Sequence, residues 1–521
     1  MKKLTSIILS SVLILLGILL FSCNRVQIKD YTQLDRLPAI VPEYIDTVVP
    51  PNIAPLNFVI KEPAKQYFVR IASLNGTAIE ISSKNPKVVI PIKAWHKLLS
   101  QNKGQELRLE IYFLDSNDNW KKFKTITNNI AEEEIDNYLA YRLLHPASNL
   151  WSDMGIFQRN LETYDEEPVL TNKLTEDNCM NCHHFCKNDP DKMVMHLRAG
   201  KSSGTLINRG GKVIRVNTST DFNKAGAYPS WHPDGNLIAF SVNKLSMFFH
   251  THGESRDVMD RYSDIIVYDI DKNMVTTSPD IASPDRMENF PCWSADGKYL
   301  YFCSANKFES YFGEIEGRQD LLYENIDYDL QRIPYNVETG TWGEVEALLA
   351  ASETGLSMTE PRVSPDGRYL LFTAAEYGNF PIYPTSSDVY IPDLETGKYF
   401  KPEINSDNTD SFHSWSSNGR WFVFISRRDD KMCARPYFSY FDSTGKAHKP
   451  FLLPQKNPEF YDDFLQTYNV PELIRDKITV KPQKLAHAAY GNTIKATLDP
   501  RVKMINQSKA EPTEKWHPAP Q

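Results

Sequence analysis

Several things are missing from this chain of 521 residues, and each absence removes a class of function. Lys and Arg number 58 against 66 Asp and Glu, and the basic residues form no patch or run. The electrostatic footprint of a nucleic-acid-binding protein is therefore lacking. No Ser-His-Asp signature, phosphate-cradling glycine loop or paired-carboxylate pattern is present, so hydrolytic and nucleotide chemistry have no basis in the sequence. Cysteine is scarce, with seven in all, too few to staple a chain of this length as a disulfide framework. Beyond the first two dozen residues no run reaches the roughly 18 apolar residues that a membrane-spanning helix needs.

The N-terminus is the exception. Lys2 and Lys3 precede an apolar run at 6–21, SIILSSVLILLGILLF, which ends in Leu20-Phe21-Ser22-Cys23. A cationic start, an apolar core and small residues before a cleavage point describe an export signal. The L-F-S-C stretch resembles the lipobox of bacterial lipoproteins, which implies that Cys23 becomes the acylated first residue. The alternative is a membrane anchor that is retained. Either way the bulk of the chain is expected outside the cytoplasm, held at a membrane. Without residues 1–22, which carry two lysines and no acid, the formal charge goes from −8 to −10.

The length implies two or three domains. Residues 23–53 are polar and Pro-rich and read as a tether. Residues 54–130 alternate as strands, with a hairpin turning at Asn75-Gly76, and suggest a small β-sandwich of immunoglobulin-like type. AEEEIDNYLAYRLL at 131–144 reads as a helix, so 131–150 is expected to be a helical connector. From 151 to 455 the chain repeats. YPSWHPDGNLIAFS, FPCWSADGKYLYFCS, EPRVSPDGRYLLFTA and FHSWSSNGRWFVFIS share an anchor, an Asp/Asn-Gly turn and a strand of bulky residues. The anchors Trp231, Trp293, Val363 and Trp415 lie 52 to 70 residues apart. A second kind of hairpin alternates with the first, as in DIIVYDIDKNMVTT and DVYIPDLETGKYFKPEI. This organisation predicts an all-β chain built on a β-propeller. Six blades are expected, the sixth closed by strands from both ends of the domain, with five as the alternative. Residues 456–521 read as a C-terminal extension with a helix at 457–475.

One inner-hairpin position is filled by a different sequence. Residues 175–185 read TEDNCMNCHHF, with Cys179 and Cys182 three apart and His183 following. A c-type heme needs two thiols to add across its vinyl groups and an imidazole to reach the iron, and C-x-x-C-H supplies all three within one turn of chain. The exported compartment suits that attachment. Two other readings remain open. Cys179 and Cys182 can form a disulfide, or Cys179, Cys182, Cys186 and a histidine can hold zinc. For the distal side of a heme iron, His196 is the leading candidate. Met193 and Met195 lie on the other face of the same strand, and His232, His250, His252 and His413 stand on or near other blades. For any one of these histidines the plain alternative is a hydrogen-bonded structural residue. Cys292 and Cys303 occupy the two arms of one hairpin, as a disulfide or as buried thiols.

The Ser-Pro-Asp-Gly type repeats resemble TolB-like propellers of the WD-like class over roughly 140–455. Together with the lipobox and the embedded C-x-x-C-H, the chain resembles a family of exported bacterial propeller lipoproteins with a c-type cytochrome signature. The expectation is a single heme c held by Cys179, Cys182 and His183, one-electron transfer or redox sensing outside the inner membrane, and a redox partner protein. The rivals are a binding scaffold with a structural heme or zinc site, and a heme enzyme with an open iron position.

Overall fold

The computed structural model describes residues 28–145, 153–249, 256–315, 318–378 and 380–502. Cys23, His250 and His252 lie outside the described residues.

Among the described residues, six sheets of four or five strands make up the larger part. Their innermost strands are, in order, Thr467–Ile474, Cys179–Phe185, Ala227–Trp231, Arg286–Trp293, Ser357–Val363 and Asp410–Trp415. Each packs on the next, and the last packs on the first, so the sheets stand around a common axis in a β-propeller-like, all-β arrangement. Strands second from the axis are buried on both faces, which is why they read as apolar runs rather than alternating ones. In Trp421–Ser426, WFVFIS, every residue is buried. Neighbouring sheets are tied near the axis by indole bonds. Trp231 Nε1 donates to the His184 carbonyl at 3.2 Å, and Trp415 Nε1 donates to the Arg362 carbonyl at 3.0 Å.

The turn after each anchor forms for local reasons. In the fourth sheet Asp296 accepts from the Lys298 N–H at 3.1 Å, and Ser294 Oγ accepts from the Tyr299 N–H at 3.0 Å. Gly297 takes φ +76°, and a Cβ there would lie 2.3 Å from His232 Nε2. The His232 ring sits 2.9 Å from the Gly297 carbonyl, so the turn of one sheet is locked to the next.

A second local feature recurs on all six inner strands. Each carries a β-bulge that places one extra residue against its partner strand. The first residue of each bulge is left-handed without being glycine. These are Cys182, Tyr228, Phe290, Glu360, Phe412 and Val470, with φ between 42° and 53°. The next residue is Pro229, Pro291, Pro361 or Pro471 in four strands and His183 or His413 in two. A bulged residue stands outside the ladder, so proline's missing N–H costs nothing there. Left-handed non-glycine residues cost about 1–3 kcal/mol each and persist only when the surroundings over-determine them. His413 shows how its ring is used. Nε2 lies 2.8 Å from the carbonyl of Glu360 in the preceding sheet and Nδ1 is 3.5 Å from Thr373 Oγ1. Burial, aided by the Arg362 charge, pulls its pKa down to about 3.

The first sheet joins both ends of this region. Tyr138–Leu144 lies between Gly155–Asn160 and Thr467–Ile474. Residues 131–144 are therefore not a helical connector. Leu139, Tyr141 and Leu143 are buried at a spacing of two, and Glu133 and Glu134 lie in a loop whose carbonyls accept from Trp421 Nε1 and Asn418 Nδ2. Nor is 457–475 a helix. It holds one short helical turn, Phe460–Asp462, and the strand Thr467–Ile474, in which Pro471 occupies the bulge.

Residues 28–53 are not a free tether. Ile40, Tyr44, Val49 and Ile53 are buried in the N-terminal unit. That unit has a seven-stranded sheet, a three-stranded sheet and the helix Ile92–Ser100. The helix was not expected, although Trp95, Leu98 and Leu99 bury one face at helical spacing. The unit shares a continuous core with the first, fifth and sixth sheets, and Tyr44 Oη donates to the Leu452 carbonyl at 3.3 Å. At the other end, residues 482–498 are packed rather than extended from the fold. The helix Pro482–Tyr490 buries Leu485 and Ala489. Thr493–Lys495 and Thr497–Leu498 then add in parallel to the outer edges of the second and third sheets.

Two outcomes follow. Gly297→Ala, which meets His232, is expected to lower stability in urea unfolding by about 2–3 kcal/mol. Gly355→Ala, at φ +68° with open space around it, is expected to cost only about 1 kcal/mol; equal losses would refute the locked turn. For His413 the sign runs one way. The folded state keeps the ring neutral while the unfolded state takes up a proton below pH 6.5, so this contribution is complete above 6.5 and declines toward pH 3. Replacing His413 by Gln is expected to flatten the fall in stability over that window by about 1.4 kcal/mol per pH unit, read by chemical unfolding at stepped pH.

Candidate functional site

Cys179–Phe185 is the innermost strand of the second sheet and pairs with Lys192–Arg198. Cys182-His183-His184-Phe185 occupies the register of Tyr228-Pro229-Ser230-Trp231, so the second cysteine and the histidine of the motif are the two bulge residues. The chain turns here because of the repeat that shapes every inner strand. The motif has been written onto that bend.

His183 and His413 hold the same repeat position, and comparing them isolates what is unusual. His413 is satisfied by the carbonyl of the preceding sheet's left-handed residue. The equivalent carbonyl for His183 is that of Val470, whose backbone opposes the pKa shift of the ring but satisfies neither nitrogen. His183 is 2% exposed, and both Nδ1 and Nε2 lack a hydrogen-bond partner. Burial, with the Arg142 charge adding to it, pulls its pKa down to about 3, which leaves the neutral, ligand-competent imidazole. A buried polar group with no partner costs about 1–3 kcal/mol, so this ring is placed at a cost that His413 avoids.

Cys179, Cys182 and Cys186 are free thiols. Cys179 is buried opposite Arg198 in the ladder and receives a bond from Arg198 Nη2 at 3.4 Å. Cys182 keeps a little exposed surface. Burial of the rest pushes its thiol up to about 11, against the nearby Arg142 charge. Cys186 lies elsewhere, its thiol 3.5 Å from the His232 carbonyl. It packs in a cluster with Val194 and Trp231, whereas Cys179 packs with Met180 and Leu197. Among the described residues no three of His, Cys, Asp and Glu come together as a metal site, so the four-ligand zinc arrangement is not assembled. Cys303 faces Asn289 and Cys292 faces Tyr301, and both are free buried thiols.

His196 stands on the adjacent strand, directly across the ladder from Asn181. It is buried, its pKa is pulled down to about 3 by burial, and its Nδ1 lies 3.1 Å from Thr205 Oγ1. Anchoring one ring nitrogen in this way fixes the orientation of the ring. Met193 and Met195 pack in the Cys179 cluster, and Val194 between them packs in the other, as period-two alternation requires. His184 Nδ1 accepts from the Trp231 N–H at 3.4 Å. His232 and His413 bind backbone carbonyls.

The structure also gathers charged residues that lie far apart along the chain. Glu360, Arg362 and Glu472 come from the inner strands of the fifth and first sheets, and Arg142 and Arg198 from strands second from the axis. Arg362 Nη2 donates to Glu360 Oε2 at 3.1 Å, and Arg142 Nη1 donates to the Met180 carbonyl at 3.0 Å. Glu472 is pushed up to about 8 by burial, with the Arg362 charge opposing. Its Oε2 accepts from the Phe185 N–H at 3.2 Å, while Oε1 is unpartnered and 3.9 Å from His183 Nε2. The signal for Glu472 was present in the sequence. Asn469-Val470-Pro471-Glu472-Leu473 copies Asn289-Phe290-Pro291-Cys292-Trp293, without the Asp-Gly turn that marks the other copies.

No family model matches the chain, and no curated protein matches it. Among solved structures it is similar to a chain of a nidogen/laminin complex, at 8% identity and a TM-score of 0.39, over 65% of this chain and 100% of that one. It is also similar to a mutant apocarotenoid oxygenase of Synechocystis, at 12% identity and a TM-score of 0.36, over 82% of this chain and 95% of that one. A third is prolyl oligopeptidase B from Galerina marginata, at 12% identity and a TM-score of 0.34, over 60% of this chain and 44% of that one. The likeness extends to a β-rich fold and no further.

Proposed function

We propose that this chain is an exported, lipid-anchored cytochrome, a TolB-like six-bladed propeller that holds one heme c and carries single electrons to or from a partner protein, or senses redox state through the same iron. Cys179 and Cys182 hold the heme covalently and His183 ligates the iron. Cys23 carries the lipid. The N-terminal unit is read as a small sandwich of immunoglobulin-like type, packed against the propeller.

The observation that carries this reading is the contrast between His183 and His413. Two histidines at one repeat position differ in that one is fully bonded and the other has both nitrogens free in a buried site. The donor set also fits the group, since two free thiols and a neutral imidazole stand within five consecutive residues. A bound heme supplies one-electron chemistry. The chain's residues hold the imidazole neutral by burying it, orient it through a bulge with a fixed left-handed residue, and restrict water around it. Arg142 and Arg198 place positive charge beside the two cysteines. The acidic net charge, −8 for the whole chain and −10 without residues 1–22, favours a basic partner.

The protein should be produced with a c-type maturation system and its reduced pyridine hemochrome recorded after denaturation. A c-type α-band that stays with the polypeptide is expected, at about one heme per chain. It should vanish in the Cys179→Ala, Cys182→Ala double variant. A matured protein without heme would sink the cytochrome reading and leave a propeller binding scaffold.

A further inference from the structure

We propose that Glu360 is the redox-linked proton acceptor of the heme site: when the iron takes up an electron, the Glu360 carboxylate takes up a proton. The proposal rests on the cytochrome reading and names the group that ties its redox state to pH.

The left-handed residues of the six inner strands form one ring around the axis: Cys182, Tyr228, Phe290, Glu360, Phe412 and Val470. Cys182 belongs to the second sheet and Glu360 to the fifth, half the ring away in either direction. The two therefore stand across the axis from each other at one level. Glu360 is the one carboxylate in this ring, and it is 3% exposed. Arg362 Nη2 donates to its Oε2 at 3.1 Å, while Oε1 is buried without a hydrogen-bond partner. The guanidinium favours the anion and burial favours the neutral acid. Neither form is fully satisfied. The anion leaves Oε1 unsolvated, and the acid gives up part of the attraction to Arg362. A carboxyl group held in this balance changes its protonation when a charge nearby changes.

The groups that face Glu360 come from every sheet of the ring. Its own strand contributes Arg362. The sixth sheet contributes His413, neutral and bonded to the Glu360 carbonyl. Burial keeps Cys292 and Cys303 of the fourth sheet and Tyr228 of the third protonated, and the Glu360 charge adds to that effect at all three. Glu472 of the first sheet is pushed up to about 8 by burial. At Cys182 of the second sheet burial raises the thiol, and the Glu360 charge again adds to it. Arg362 is the one fixed charge among these. Glu360 thus already acts on a residue that holds the heme, through a buried region in which charges are weakly screened.

Glu472 has a different task. Its position in the strand is that of Ser230 and Ser414. Each of the three side chains accepts the N–H of a residue on the next inner strand, Phe185, Trp293 and Leu473 respectively, at 3.2–3.3 Å. It is a staple between sheets, whereas Glu360 Oε1 staples nothing.

The coupled step balances simply. One electron from the partner protein converts Fe(III) to Fe(II), one proton from solvent converts the Glu360 carboxylate to the acid, and the only bond formed is O–H. Oxidised iron carries one more positive charge, so the pKa of Glu360 is lower in the oxidised protein than in the reduced one. Between those two values the potential falls as pH rises. The fall is up to tenfold in the redox equilibrium per pH unit, or about 59 mV.

The experiment titrates the potential of matured wild type, Glu360→Gln and Glu472→Gln over about pH 5–8, with the denatured hemochrome recorded in parallel. Expected are a falling segment in the wild type, and in Glu360→Gln a flat line at the wild type's acid plateau, because the amide mimics the neutral acid. Glu472→Gln should keep the falling segment. A wild-type potential independent of pH would overturn the proposal. So would a slope that survives in Glu360→Gln, which places the proton on Glu472 or on a heme propionate. Absence of a hemochrome from the wild type would overturn the cytochrome reading itself. Should Glu360→Gln fail to accumulate, infrared difference spectra of wild type and Glu360→Asp decide. A carboxylic acid C=O band that appears on reduction and moves between the two supports the assignment, and an unmoved or absent band refutes it.

Discussion

Everything in the larger part of this molecule depends on one pairing across a long stretch of chain. Thr467–Ile474 lies beside Tyr138–Leu144 in the first sheet, although more than three hundred residues separate them. A ring of sheets cannot close with a missing strand, because each sheet buries its two faces against its neighbours. The strand that closes the ring is also the strand that brings Glu472 to His183. Closure and site construction are therefore one event. The C-terminal segments Thr493–Lys495 and Thr497–Leu498 then cover the outer edges of two sheets, which removes exposed ladder groups that would otherwise invite strand addition.

The inner ring is strained in a regular way. Six left-handed residues that are not glycine recur at one position, and the strain is tolerated because sheet packing and turn bonds hold each strand from both sides. At four positions proline follows, which suits a residue outside the ladder. Where histidine follows, the same bend aims a ring at the preceding sheet. The bend exists in all six strands; one carries His183 after it, with cysteines at 179 and 182, and another carries His413, whose ring is hydrogen-bonded.

The hairpins of residues 204–217, 264–276 and 388–400 were legible in the sequence because their turns and alternation are local. The Asp-Gly turns at 234–235 and 296–297 were legible for the same reason. The helix expected at 131–144 failed because Glu132-Glu133-Glu134 imitates a helix start, while the burial of Leu139, Tyr141 and Leu143 is decided by two partner strands remote in sequence. The closing strand at 467–474 was missed because it lacks the turn that marks its relatives. Residues 28–53 look like a tether from composition alone, and only the core they enter reveals their place. The helix at 92–100 was readable from Trp95, Leu98 and Leu99, but it sits inside a run of strands that masked it.

The sequence by itself determined the repeat, its turn chemistry, and the presence of two thiols and an imidazole within five residues, because each of these is a matter of spacing along a few residues. Tertiary structure alone decided which histidines are satisfied. His413 finds the Glu360 carbonyl and His183 finds no partner, although both follow a left-handed residue in the same bulge. It also decided that Glu472, nearly three hundred residues downstream, stands 3.9 Å from the ring of His183. The physical reason is that hydrogen-bond satisfaction, and the distance between side chains on different sheets, depend on the packing of one sheet against the next, and that packing exists only once the ring has closed.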